Sequence, residues 1–511
     1  MNRRTFLQHT AAASAVALAP GRLPAAEPAP HRPTRSVDAS RAHIGQPAVL
    51  LRGDFADPSV LRDGDDFYLT HSNTDPYGPA FLIWHSRDLY HWKPLCRALR
   101  QPLFTWAPEL VKHQDRYYLY YPQVEKNYVI TAPKITGPWS DPIDLNQNGI
   151  DPGHVVGPDG KRYLHLSGGT VVTLADDGLS VVGRRQKIYT GWPIPAEWNI
   201  ESFALESPKL CFHRGYYYLT SAQGGTAGPS TSHMVVSARS RSPIGPWENS
   251  PYNPIVRTFS SRERWHSRGH GTLIEGPDGC WYLIYHAYEK GHRELGRCCL
   301  LEPVVWTDDG WFRSPHADDR ERFLPRVVPN YVVRSDDFAS SQLNLQWSFC
   351  GITSDADYQV GDGALRLTGA SDTLRAVQVR CAEPDFEASV ALEASDPSVE
   401  FGFIILYQPD KPIPAGLTFT RGKILKILRG KNWGPQIEAK GRLHFKLRVE
   451  DGDVMAFHGD GQTWARYPHG MEISGFTTSA FGGMGAWKIA AYIKGAGELR
   501  IRGFQYQSLA S

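Results

Sequence analysis

Three acidic side chains occupy matching places in the chain, each just ahead of a proline: Asp57-Pro58, Asp151-Pro152 and Glu206-Ser207-Pro208. Glu109, directly after Pro108, is a fourth candidate. Carboxylates gathered at one place repel one another, so such a group is costly unless a reaction needs it. Cleavage of a glycosidic bond does need it. One carboxylate must be ionised to take a proton from water, and another must be protonated to give one to the leaving oxygen. Taken singly, an Asp before proline is equally a turn-capping residue. The chemistry therefore depends on elements that bring residues 57, 151 and 206 to one point.

Those elements are written as a degenerate repeat. Its unit is an x-Pro start, an apolar pair, a polar turn and an aromatic strand: Asp57-Pro58-Ser59-Val60-Leu61, Asp63-Gly64-Asp65-Asp66, then Phe67-Tyr68-Leu69-Thr70. It returns at Ala107-Pro108-Glu109-Leu110, at Asp151-Pro152-Gly153-His154 and at Ser207-Pro208-Lys209-Leu210. The fifth copy replaces proline with glycine, in Gly269-His270-Gly271-Thr272 before Trp281-Tyr282-Leu283-Ile284-Tyr285. Two copies share a later element, Ile135-Thr136-Gly137-Pro138-Trp139 and Pro243-Ile244-Gly245-Pro246-Trp247. Spacings of about 45–60 residues, each unit opening with two strands and a tight turn, predict a five-bladed β-propeller. The first strand of each propeller blade lines the central channel, so the acids at the strand starts converge on one mouth.

A second all-β segment follows. Residues 316–335 are charged and contain proline, as a linker or closing strap would. From Asp336 to the C-terminus short alternating strands are separated by glycine turns, including Ala364-Leu365-Arg366-Leu367, Phe386-Glu387-Ala388-Ser389-Val390 and His444-Phe445-Lys446-Leu447-Arg448-Val449. This pattern predicts a β-sandwich of jelly-roll type. The expected organisation is an address segment over 1–26, a flexible leader over 27–45, the propeller over 46–315, the linker over 316–335 and the sandwich over 336–511.

Composition narrows the function classes. The chain has 511 residues, with 55 Lys+Arg against 53 Asp+Glu. That balance argues against a nucleic-acid binder. The 15 Trp and 23 Tyr supply flat apolar faces of the kind that stack on sugar rings. Arg3-Arg4-Thr5-Phe6-Leu7, the apolar run Ala11 to Ala19 and the small residues Ala25-Ala26 have the order of a secretory signal, and the arginine pair resembles a twin-arginine export signal. The expected destination is the periplasm or the exterior. The apolar run is too short to cross a bilayer, and no transmembrane segment is expected. Seven cysteines without regular spacing do not read as a disulfide framework. Asp63-Gly64-Asp65-Asp66 reads as a hairpin turn rather than a calcium loop. His292-Arg293-Glu294 lacks the second histidine of a zinc-protease motif.

At the level of these motifs the segment from about Arg52 to Arg313 resembles glycoside hydrolase family 43, five-bladed propellers that cleave xylose- and arabinose-type linkages. The resemblance implies roles for residues at matching positions. Asp57 would be the general base, Asp151 the residue that orients the acid and tunes its pKa, and Glu206 the general acid. The family usually carries Gly after that Glu, where this chain has Ser207. Trp106, in Thr105-Trp106-Ala107-Pro108, would border the sugar pocket, and Arg297 would reach substrate hydroxyls. His270 would lie near the channel axis, where relatives often hold a metal ion or water. The implied reaction is single-displacement inversion on an oligosaccharide or polysaccharide releasing xylose or arabinofuranose. No cofactor is required, and a structural Ca2+ near the axis is an expectation attached to His270. Glu109 matches no catalytic position of the family and reads as structural or as a rim residue. The C-terminal segment, with Asp336-Asp337-Phe338, Leu343 and Trp347, resembles the concanavalin-like sandwich often appended to these enzymes, which would bind glycan or shape the pocket.

Two further readings are a carbohydrate-binding propeller without catalysis, and a galactan- or galactofuranose-directed hydrolase of the same fold. A retaining fructoside hydrolase is disfavoured, because Ala56 precedes Asp57 and Ser207 follows Glu206 where that class has Asn-Asp-Pro and Glu-Cys-Pro.

Overall fold

The structure is a computed structural model and describes residues 45–73, 80–99, 103–317, 323–352, 354–370, 373–407 and 412–509. The export signal over 1–26 and all of the leader except Gly45 lie outside the described residues.

Four antiparallel sheets follow in chain order, each opened by one of the repeat starts. The first blade is Ser59–Asp63, Asp66–Thr70, Leu82–Ser86 and Lys93–Arg97; the second is Glu109–His113, Arg116–Gln123, Lys126–Ala132 and Ile143–Asn148. The third is Gly153–Val156, Arg162–Leu166, Thr170–Leu174 and Gln186–Lys187; the fourth is Leu205–His213, Tyr216–Gln223, Met234–Ser240 and Glu248–Asn249, with Val256–Arg257 paired to its third strand. The fifth blade is assembled from both ends of the domain. Trp265–Glu275, Trp281–Glu289 and Arg297–Trp306 are joined by Ala48–Leu51, which pairs antiparallel to the last of them, Ala48 opposite Leu301. Arg326–Val327 then adds in parallel outside Ala48–Val49, so the segment after the last blade straps the closure. Closing the ring this way ties the start of the domain to its last blade.

Hydrogen bonds link neighbouring blades around the channel. Ser59 Oγ donates to Glu109 (3.1 Å), and Glu109 accepts the His154 N–H (3.3 Å). The Ser207 N–H donates to Asp151 (3.0 Å), Thr220 Oγ1 to the Gly271 carbonyl (2.8 Å) and Thr272 Oγ1 to the Pro58 carbonyl (2.9 Å). Every blade junction is thus bonded at the axis. The third and fourth blades touch so closely that a Cβ on Gly153 would lie 1.6 Å from the Pro208 carbonyl oxygen. Only glycine fits there.

The C-terminal domain is a sandwich of a seven-stranded and an eight-stranded sheet. Strands such as Leu443–Glu450 alternate buried and more exposed positions, so one face enters the core. That core, including Phe403, Leu417, Phe445, Trp487 and Ile501, also takes in Leu295 from the propeller. Arg97 Nη2 donates to the Leu345 and Trp347 carbonyls (2.8 and 3.0 Å), and the Trp487 N–H donates to the Glu294 carbonyl (2.8 Å).

Candidate active site

The chain enters the channel mouth through a repeated backbone kink. Asp57, Asp151, Ser207 and His270 all have left-handed φ, at 58°, 55°, 56° and 60°, and each precedes the Pro or Gly that starts a blade. Non-glycine residues avoid this region, and its recurrence at four of five equivalent positions marks a functional device. In the fourth blade the kinked residue is Ser207, and Glu206 stands one position earlier. Ser207 Oγ is buried with no hydrogen-bond partner among the described residues.

Asp57 is buried beside one cation, Arg297, and several hydrogen-bonding groups. Ser72 Oγ donates to its Oδ2 (2.5 Å) and Arg297 Nη1 to its Oδ1 (3.0 Å). His270 Nδ1 and His286 Nδ1 lie 3.2 and 3.0 Å from the same Oδ1. Burial alone would raise the carboxyl, but Arg297, His270 and His286 outweigh it and hold Asp57 well below the ordinary carboxylate range. Asp151 is the opposite case. Burial, then the charges of Glu206 and Asp57, push it well above that range, against the Ser207 N–H bond and Lys209. Three carboxyl groups therefore share one electrostatic site, with Glu206 first among the charges that act on Asp151.

Glu109 has a different role. Lys209 Nζ donates to its Oε2 (2.5 Å) and to the Pro108 carbonyl (2.9 Å), both groups buried. Glu109 is thus spent on a buried ion pair and on two blade junctions, in agreement with the structural reading. Trp106 is half-buried at the start of the second blade, edge-to-face with Phe104 at 5.9 Å between ring centroids. The Gly191–Trp198 rim loop is held by Gln223, whose side chain accepts the Trp192 N–H (2.8 Å) and donates to the Trp192 carbonyl (3.0 Å). Arg297 is fully buried beside Asp57.

Asp57, His270 and His286 present donor atoms within 4.8 Å of one another. Calcium takes six to eight oxygen ligands. These residues offer one carboxylate and two imidazoles, and the Arg297 guanidinium already occupies that carboxylate. The donor set does not fit calcium. His270 is pushed down to about 3, first by burial, so it is neutral; its Nε2 has no hydrogen-bond partner among the described residues.

Four residues of this site escape sequence reading. Ser72, just past a strand, and Lys209, within one, carry no pattern that marks them. His286 is a lone histidine in an apolar strand and His233 one just ahead of another; their rings stack at 5.2 Å with planes 8° apart. The repeat is the one signal bearing on them, since it places His286 on the strand next to that of His270.

A closed five-blade ring with three acids at its mouth, fused to a two-sheet sandwich, defines a class of propeller with a multi-carboxylate site. Residues 47–312 match the profile described as Glycosyl hydrolases family 43, and the chain belongs to that family. Residues 335–488 match the beta xylosidase C-terminal Concanavalin A-like domain. Among curated relatives, the chain is 32% identical over 303 residues to xylosidase/arabinosidase 43B of Humicola insolens, covering 51% of this chain and 53% of that protein. It is 30% identical over 359 residues to the non-reducing end alpha-L-arabinofuranosidase BoGH43B of Bacteroides ovatus, covering 63% and 64%. The chain thus spans between half and two thirds of the length of these relatives. The solved xylan beta-1,4-xylosidase of Bacillus halodurans C-125 superposes with a TM-score of 0.77 at 26% identity, covering 90% of this chain and 99% of that one.

Proposed function

We propose that the protein is an inverting glycoside hydrolase that releases xylose or arabinofuranose from oligosaccharides or polysaccharides. The observation that carries this reading is the opposed pull on two buried aspartates in one site: Asp57 well below the ordinary range, Asp151 well above it. Environments that separate carboxyl groups in this way divide base from acid work. Asp57, ionised, takes the proton from a water that attacks the anomeric carbon. Glu206, protonated, delivers its proton to the departing glycosidic oxygen. Asp151 holds Glu206 in place and opposes its ionisation. Trp106 forms an apolar wall, and Arg297 and His270 hold sugar hydroxyls as well as Asp57. The names of the relatives support the pentose assignment. The chemistry uses the chain's own groups, so chelator-treated protein is expected to keep its kcat/KM.

The test is the anomer first released, followed by proton NMR, from β-1,4-xylobiose and from an α-L-arabinofuranoside. Inversion gives α-xylose first from the β-linked sugar. Retention overturns the mechanism, and binding without release favours the non-catalytic propeller. Release from galactofuranosides alone moves the substrate class.

We further propose export through Arg3-Arg4. The extracellular exo-alpha-(1->5)-L-arabinofuranosidase ArbA of Cellvibrio japonicus, 26% identical over 314 residues, supports an extracytoplasmic setting. Among the described residues no helix is long and apolar enough to cross a membrane. Replacing both arginines by lysine is expected to retain the protein in the cytoplasm; unchanged fractionation overturns the assignment.

A further inference from the structure

Behind Asp57 the fifth blade places a second residue that touches both its backbone and its carboxyl group. His286, on Trp281–Glu289, is fully buried. Its Nδ1 lies 3.1 Å from the Asp57 backbone nitrogen and 3.0 Å from Asp57 Oδ1. Its Nε2 lies 3.0 Å from the hydroxyl of Thr226, itself buried on the fourth blade. The ring is stacked on His233, which is pinned in turn: a Cβ on Gly269 would lie 1.9 Å from its Cδ2. His286 therefore has both edges and one face fixed by other blades.

We infer that His286 is a positioning residue for Asp57, locked by Thr226 and His233, and that it holds the carboxylate in its kinked conformation facing the attacking water. Burial lowers the imidazole, so it is neutral and carries one ring proton. With that proton on Nδ1 it donates to the carboxylate; with it on Nε2, Nδ1 accepts the Asp57 N–H. The Thr226 hydroxyl can donate or accept, so it satisfies Nε2 in either case. Both arrangements tie Asp57 to the fifth blade. The left-handed φ of 58° at Asp57 gives this tie a purpose, since the backbone conformation is unfavourable on its own.

The inference rests on the reading of Asp57 as general base, and the experiment separates the two. Water activation is needed whatever the leaving group, so loss of positioning lowers kcat alike for an aryl xyloside and for xylobiose. His286→Leu is expected to reduce kcat by about 10–100-fold on both substrates with KM moved less than about threefold. His286→Asn, whose amide can replace Nδ1, is expected to recover at least a third of wild-type kcat. Thr226→Val is expected to fall between them. Melting temperatures are measured alongside. If His286→Leu does not fold, the Asn and Val variants carry the test. Wild-type kcat in a folded His286→Leu or Thr226→Val variant overturns the inference, as does a loss His286→Asn does not relieve. Full activity in Asp57→Asn overturns the base assignment instead.

Discussion

At the scale of single residues, Asp151 shows how the site trades stability for chemistry. Its carboxyl is raised in the folded state, so between about pH 4, the ordinary value of an unfolded Asp, and the raised folded value the native chain binds more protons than the unfolded one. Stability contributed by Asp151 is therefore complete below that window and is lost as pH rises through it. Asp151→Asn removes the titration, while its amide oxygen can still accept the Ser207 N–H. The variant is expected to melt above wild type at pH 7, with the difference vanishing near pH 4. It should also lower kcat/KM and shift the basic limb of the pH profile downward, because Glu206 ionises more readily without a negative neighbour. Calorimetry and pH-rate profiles of the two proteins test both halves. An unshifted basic limb would remove Asp151 from the acid's environment.

At the scale of elements, the channel-lining strands carry two separable loads. The first is the kink. Ser207 holds a left-handed φ of 56° with a buried hydroxyl that has no partner among the described residues. Glycine adopts that conformation freely. Ser207→Gly is expected to raise stability by about 1 kcal/mol and leave kcat/KM within about threefold, whereas Ser207→Val is expected to destabilise by at least as much. Denaturant titration decides, and a destabilised glycine variant would show that the serine does more than turn the chain. The second load is the axis ion pair. Lys209→Met leaves Glu109 buried and uncompensated, at a cost of about 3–5 kcal/mol, and adding Glu109→Gln is expected to recover most of it. Additive losses in that pair of variants would contradict the coupling. These strands were legible in sequence because each copy begins with the same Pro or Gly and continues into an aromatic strand. Ala48–Leu51 was not, since its partner strand begins near residue 297 and nothing local marks a strand as the one that closes a ring. The acids stood out by their place before the repeat prolines. His286 lies mid-strand and His233 just ahead of a strand, where a lone histidine beside an apolar run has the same appearance as a core residue.

At the scale of the whole molecule, the sandwich is built into the propeller rather than hung from it. Leu295 belongs to the sandwich core, and the carbonyl of Glu294 accepts the Trp487 N–H. Two residues after Leu295, Arg297 donates to Asp57, and between them Gly296 is pressed against Asp54 and Ala486, where a Cβ would meet atoms at 2.6 and 2.9 Å. The segment that delivers the guanidinium is thus clamped by both domains. A module that only binds glycan would need no such clamp. Deleting a fully buried leucine side chain costs about 2–5 kcal/mol, according to how far the site can collapse. Leu295→Ala is therefore expected to lower the unfolding free energy by that amount. It should also reduce kcat/KM by about tenfold under conditions where the variant is fully folded, because Arg297 loses its backing. Arg466→Ala, at an exposed position of the sandwich, is expected to change neither. Steady-state kinetics and calorimetry on the full-length variants provide the measurement. A Leu295→Ala protein with lowered stability and wild-type kcat/KM would show that the two domains share a core without sharing the site.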